Sequence, residues 1–213
     1  VTATGTEVGK TVVAAAIART LAVSGLTVNV FKPAVTGLDE HPAAGPSDHE
    51  LLRAAARSEQ SDEEIAPYRY GPPASPHLAA ALAGEEIDPE RLRWAAAAAA
   101  EDAEAIVCEG VGGLLVPLSP GYLVRDLAAD LGYPLLVVAS PGLGTINHTL
   151  LTLESARAAG LEVAAVVLTP WPAEPTVIER SNRETIAELG AAPVLTLPPL
   201  DLTDPSGWPQ LRI

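Results

Sequence analysis

Along the chain, short runs of Val, Leu and Ile alternate with longer stretches in which Ala, Leu, Glu and Arg recur at helical spacing. Unbroken apolar runs suit parallel strands covered on both faces, and the amphipathic stretches between them suit crossover helices. The pattern predicts strands over residues 1–3, 27–31, 105–108, 134–139, 162–168 and 193–197. It predicts helices over 11–24, 48–57, 89–102, 147–159 and 175–189. Gly25, Gly160 and Gly190 fall where helices should stop and are expected as left-handed C-terminal caps. Residues 38–46 and the proline-rich 66–77 break the alternation and are expected to be loops. The fold class that follows is α/β, a doubly wound, mostly parallel sheet with helices on both faces. With no flexible linker and no internal repeat, one catalytic domain over residues 1–213 is expected.

Three junctions in this pattern carry chemistry. The segment TGTEVGKT, Thr4 to Thr11, joins a strand to a helix and ends like a phosphate-binding loop. Glycine lets the backbone approach phosphates closely, successive N–H groups wrap them, and the helix start adds the positive end of its dipole. Lys10 would then hold the outer phosphates and the Thr11 hydroxyl would ligate Mg²⁺. The usual first glycine, five positions before Gly9, is replaced by Thr4, and Gly5 arrives one residue late. The second junction, VFKPAVTG, puts Lys32 at a strand end and a hydroxyl, Thr36, in the stiff loop that follows. Strand ends face the ligand crevice in doubly wound sheets, so Lys32 is expected to reach the same phosphates, the alternative being a surface lysine beside a turn. At the third, Glu109 ends an apolar strand and precedes Gly110, Val111, Gly112 and Gly113. A carboxylate at a buried strand tip is costly unless it faces a cation or water. Asp48 reads equally well as a second metal ligand or as a helix cap beside Ser47.

Further along, GLGTINHT (Gly142 to Thr149) gathers glycines, hydroxyls and Asn147 at a helix start, a good anion pocket or a polar capping box. His77 and His148 lack metal-ligand spacing and are expected to be structural, as is Cys108, with nothing nearby to lower its pKa.

Composition sharpens this picture in two ways. Of thirteen cationic residues only Lys10 and Lys32 are lysines, and both stand in motifs where a compact charge meets phosphate. The net charge of −14 opposes binding to nucleic acid or anionic membrane. The Ala-rich run after Trp94 is too short to span a bilayer, no secretory signal layout opens the chain, and one cysteine makes no internal disulfide. A soluble cytoplasmic protein is expected. The chain holds no methionine, which leaves open whether the first strand begins before Val1.

Together these motifs resemble the dethiobiotin synthetase family, in order and over nearly the whole chain. They are TEVGKT at Thr6 to Thr11, KPAVTG at Lys32 to Gly37, SPH at Ser75 to His77, EGVGG at Glu109 to Gly113 and LGTINH at Leu143 to His148. The resemblance implies that CO₂ carbamates one amine of 7,8-diaminononanoate, that the carbamate takes the γ-phosphoryl group of ATP, and that the second amine closes the ring. It implies Lys10 and Lys32 as catalytic residues and Mg²⁺ on Thr11, Asp48 and Glu109. Nucleotide contacts would come from Glu7, Val8, Gly9, Lys10, Thr11, Val12, Asp48, Glu109, Gly110, Val111, Gly112, Thr169, Pro170, Pro198, Pro199 and Leu200. Thr36 would meet the carbamated end. The family is a homodimer, and Gly144, Thr145, Ile146 and Asn147 would receive the substrate carboxylate of the other subunit. Two departures are expected to matter. Ala3 aligns with the family's first loop glycine and would weaken nucleotide binding if that position needs positive φ. Thr169-Pro170 replaces an asparagine that reads adenine, leaving ATP the default base. The rival readings are a partition-type ATPase switch, whose extra loop lysine is here Gly5, and a cobyrinic-acid-type amidoligase, whose second domain has no room here.

Overall fold

The computed structural model describes residues 1–39 and 46–211; residues 40–45 of the expected loop 38–46 and the last two residues lie outside them. In chain order the elements are β1 (Thr2–Ala3), α1 (Lys10–Val23), β2 (Val28–Phe31), α2 (Asp48–Ala56), α3 (Asp62–Ile65) and α4 (Pro76–Leu82). There follow α5 (Pro89–Glu101), β3 (Ala105–Cys108), β4 (Pro117–Ser119), β5 (Tyr122–Leu123), α6 (Val124–Leu131) and β6 (Leu135–Ala139). The last are α7 (Thr145–Ala158), β7 (Val163–Leu168), α8 (Val177–Gly190), β8 (Val194–Thr196) and a 3₁₀ turn at Pro205–Gly207.

β1, β6, β7 and β8 pair in that order, all parallel, with Thr2 opposite Val137, Val137 opposite Val166 and Val167 opposite Leu195. β2 and β3 pair in parallel with Val30 opposite Val107. The Gly110 N–H donates to the Val1 carbonyl (2.9 Å) and Ala3 bridges Gly113, so β3 lies beside β1. The sheet order is therefore β2-β3-β1-β6-β7-β8. The chain leaves β1 toward one side and later returns to β6 on the other, which makes the tip of β1 the switch point where ligands bind in such sheets.

Alternate residues of β6 show why both faces are apolar. Leu136 and Val138 join a core with α1 and α2, whereas Leu135, Val137 and Ala139 join one with α7 and α8. At the open edge, the Gln60 side chain stands in for a neighbouring strand. Its Oε1 accepts from the Val30 N–H (2.8 Å) and its Nε2 donates to the Val30 carbonyl (3.1 Å).

All six expected strands form, β3 over its full expected range and the others shorter by one residue at one or both ends. Gly25 and Gly160 have positive φ, as their cap roles require. Gly190 instead closes α8, and Ala191 takes the left-handed position (φ 43°). The reason for glycine at 190 is packing, because a Cβ there would stand 2.8 Å from Leu153 Cδ1 on α7. α7 begins at Thr145, two residues earlier than its periodicity suggested. α3, α6 and the β4–β5 hairpin were not anticipated. Pro76 and His77, expected in a loop, open α4, where proline is preorganised for the first helical turn.

Candidate active site

The phosphate-type loop leaves β1 at the switch point. Thr4 N–H donates to the Val138 carbonyl (2.9 Å), Glu7 takes a left-handed φ of 58°, and Gly9 (φ 87°) is the N-cap of α1. No side chain caps α1 and no acidic residue stands in its first turn, so its first N–H groups and dipole are available to an anion. A Cβ on Gly9 would stand 2.9 Å from Thr169 Cγ2, so the loop also needs glycine there for closeness. The expectation about Ala3 is corrected. Ala3 lies in β1, and the described non-glycine residues with positive φ are Glu7, Arg57 and Ala191, so no left-handed backbone there calls for glycine.

Lys10 and Lys32 converge. Both ammonium groups donate to one oxygen, Glu109 Oε1, at 2.6 Å and 2.7 Å, and the Thr11 hydroxyl donates to the same atom at 2.8 Å. Lys32 also donates to Asp48 Oδ2 (2.5 Å), and the Thr11 hydroxyl oxygen lies 3.1 Å from Asp48 Oδ1. Ser47 is the N-cap of α2, leaving the Asp48 carboxylate to the cluster. Lys32 and Glu109 are buried, Lys10 is nearly so, and Asp48 is about half exposed. Burial alone would neutralise such charges. It lowers the Lys10 pKa, only partly offset by Glu109. For Lys32, burial is outweighed by Glu109 and Asp48, and its pKa rises. Burial would raise both carboxyls, yet Lys32 and Lys10 hold Glu109 and Asp48 below their ordinary range. The cluster thus favours the charged forms of Lys32, Asp48 and Glu109, while burial works against that of Lys10.

Glu109 Oε2 is buried and without a hydrogen-bond partner. That unspent oxygen, with Asp48 and the Thr11 hydroxyl, makes a hard all-oxygen donor set suited to Mg²⁺, which takes few protein ligands and fills its shell with water and phosphate oxygens. Among the described residues no group of three or more His, Cys, Asp or Glu offers a rival metal site. Burial pushes the Cys108 thiol up to about 12, consistent with an inert strand residue.

The other expected residues divide into two groups. Gly110, Val111 and Gly112 turn away from β3 beside β1, with Gly112 at φ 60°. Thr169 is buried behind Gly9, and Trp171 N–H donates to the Leu197 carbonyl (2.8 Å). Pro170 and the Pro198-Pro199-Leu200 run therefore form adjoining rims at the ends of β7 and β8. Val8, Val12 and Leu200 pack on the same core. Thr36 is half-buried on the segment after Lys32, whose neighbours Val35 and Gly37 donate to the carbonyls of Tyr68 and Pro72.

Gly144, Thr145, Ile146 and Asn147 stand apart. No hydrogen bond or ion pair among the described residues joins them to the lysine cluster. Gly144 (φ 90°) is the N-cap of α7, Asn147 is exposed, and Ile146 packs inward. The Thr145 hydroxyl turns inward, buried 3.4 Å from that of Thr149. Sequence reasoning missed Asn182, a buried amide on α8 that donates to the carbonyls of Pro141 (2.9 Å) and Gly142 (3.0 Å) and holds the turn before α7. Its only sequence signal is a polar residue on the core face of an amphipathic helix.

A sheet switch point, an uncapped helix start and two lysines on one carboxylate define a phosphate-loop nucleotide-binding protein. The family model described as an AAA domain matches residues 1–206. The crystal structure of a ParA family ATPase from Chlorobium tepidum shares the fold, with a TM-score of 0.58 over 96% of this chain and 86% of that one at 12% identity. Among curated relatives, the ATP-dependent dethiobiotin synthetase BioD of Anaeromyxobacter dehalogenans is 45% identical, covering 93% of this chain and 88% of its own. That of Acidiphilium cryptum is 38% identical, covering 98% and 93%. The chain belongs to the dethiobiotin synthetase family and is an enzyme of that class.

Proposed function

We propose that this single-domain enzyme carboxylates and cyclises 7,8-diaminononanoate with CO₂ to dethiobiotin, converting ATP to ADP and phosphate with Mg²⁺. The observation that carries this reading is the meeting of Lys10 and Lys32 on Glu109, beside an uncapped helix start. One amine of the substrate attacks CO₂ and loses a proton, giving a carbamate. A carbamate oxygen then attacks the γ-phosphorus and expels ADP. The second amine attacks the carbonyl carbon of the mixed anhydride, and phosphate leaves as the ring closes. Phosphoryl transfer of this kind asks for positioning and charge stabilisation more than for a protein nucleophile.

Each residue has a task in that scheme. The α1 start and Lys10 hold the triphosphate. Lys32, already ionised and buried, faces the carbamate and the oxygens of the transferred group, and Thr36 hydrogen-bonds the carbamated end. Thr11, Asp48 and Glu109 hold Mg²⁺, which when bound neutralises phosphate charge. Thr169, Pro170, Pro198, Pro199 and Leu200 border the base.

The α7 start would receive the substrate carboxylate across a homodimer interface, through main-chain N–H groups and the Asn147 amide. Its surroundings support this, because Leu143 (94% exposed), Leu151, Val177 and Ile178 leave apolar surface near that end unburied. A cytoplasmic location accords with the lone cysteine, and no described helix is long and apolar enough to cross a membrane. The likeness to the ParA family ATPase is one of fold, and the charge of −14 argues against DNA as a partner. Phosphate release with Mg-ATP should require both 7,8-diaminononanoate and bicarbonate, and release that is indifferent to both would refute the proposal.

A further inference from the structure

Lys32 is held from two sides, and both holds lead to one carboxylate outside the site. Its backbone N–H donates to the Ile65 carbonyl (2.8 Å), and its ammonium donates to Asp48 (2.5 Å). Ile65 is the last residue of α3 and Asp48 the first of α2. The two helices are tied at Asp62, which opens α3. One Asp62 oxygen accepts from Arg53 Nη1, and the other lies 3.6 Å from His49 Nε2. His49 and Arg53 are four residues apart, hence on one face of α2. His49 is buried next to Asp48, and its Nδ1 is 3.2 Å from the hydroxyl of Ser47, the α2 N-cap.

We propose that Asp62 is a positioning residue for Lys32: by holding Arg53, with His49 close by, it fixes α2 against α3, and so sets where the ammonium stands between Asp48 and Glu109. The arrangement bears on Lys32 more directly than on Lys10, because the Lys32 ammonium donates to Asp48 on α2 and the Lys10 ammonium does not. Lys10 is held by α1 and by Glu109 on the tip of β3, neither of which touches Asp62. Asp62 is 44% exposed, and exposed ion pairs contribute little to folding, so its loss should leave the fold intact while freeing Lys32. The effect on turnover rests on the function proposed above; the placement of Lys32 does not.

Because the chain holds only two lysines, the test has an internal reference. Limiting acetic anhydride, read by mass spectrometry, gives the ratio of Lys32 to Lys10 acetylation in the nucleotide-free protein. Asp62→Asn should raise this ratio by about threefold or more, and Arg53→Gln, at the other end of the link, should move it the same way. Glu64→Gln is the control for a merely structural role. It loosens the Ser61–Glu64 box that starts α3 without touching α2, and should leave the ratio unchanged. An unchanged ratio in Asp62→Asn, or an equal rise at both lysines, would overturn the proposal. In turnover, Asp62→Asn should lower kcat by about tenfold with little change in nucleotide KM, the mark of a misplaced group and not of lost binding. If the native enzyme fails to turn over the diamine, the proposed reaction falls, and the labelling ratio still decides the role of Asp62.

Discussion

The starts of α1 and α7 are nearly the same object. Each is a 14-residue helix with a left-handed glycine as N-cap, Gly9 at φ 87° and Gly144 at φ 90°, no side-chain cap and no acidic residue in its first turn. Both offer bare N–H groups and a positive dipole end. They differ in what surrounds them. α1 opens with Lys10 and Thr11 into a cluster of buried charge supplied by the tips of β2, β3 and α2, whereas α7 opens with an inward hydroxyl under an exposed apolar rim. A helix start by itself is a generic anion receptor. Which anion it takes, and whether chemistry follows, is decided by side chains that other elements deliver.

If that is right, the largest effects should come from the delivered side chains. Lys32→Gln should cost about 10²–10³-fold in kcat, the scale for removing one donor to developing negative charge. Nucleotide affinity, measured by calorimetry, should stay nearly constant, and an unchanged kcat would reduce α1 to the level of α7. Next, Glu109→Gln should destabilise the protein by about 3 kcal/mol at neutral pH, because two buried cations lose their shared partner. The pH dependence has a definite sign. Lys32 and Lys10 hold Glu109 below the ordinary carboxylate value of about 4.3, so its contribution is complete above that value and is lost as the pH falls through the lowered one. The stability gap between native protein and Glu109→Gln should therefore close on acidification, and a gap constant down to pH ~3 would mean that Glu109 is not ionised in the fold.

Smaller effects separate the two glycines. Gly144→Ala adds only the left-handed penalty of about 1–2 kcal/mol, since its Cβ would find nothing nearer than His148 Cε1 at 3.9 Å. Gly9→Ala adds a clash with Thr169 on top of the same penalty, for about 2–3 kcal/mol in all, readable from denaturant midpoints. Equal losses would mean that the phosphate loop is no more tightly built than the α7 turn. The smallest effect concerns the base. Pro170, Pro198 and Pro199 lack N–H groups, and those of Thr169, Trp171 and Leu197 already donate to Ala139, Leu197 and Leu168. ATP, GTP, CTP and UTP should thus bind within about tenfold of one another, with a strong preference for ATP pointing to a base-reading group elsewhere.

Much of this was legible in the chain. Strands buried on both faces leave unbroken apolar runs, and all six were visible for that reason. Lys32 and Glu109 were legible because each follows such a run at the end of a strand, and Lys10 because it closes a Gly-Lys-Thr loop that opens a helix. The inward turn of the Thr145 hydroxyl was not legible, because the periodicity places the start of α7 at residue 147. As a cap that hydroxyl would look outward, and as the first helical residue it turns to Thr149. Short elements such as α3 hold too few residues to show a period, so the tie between Asp62, His49 and Arg53 left no trace in the pattern. Ala3 and Gly190 mislead in opposite ways. One stands where glycine is habitual but unneeded, and the other is a glycine chosen for a neighbouring helix and not for its own turn.

The amide of Gln60 has a consequence unrelated to catalysis. By satisfying both main-chain groups of Val30 it ends the sheet chemically, so that the outermost strand has less to offer a foreign strand in a crowded solution. One side chain thereby takes up the outward main-chain groups at the middle of the edge strand.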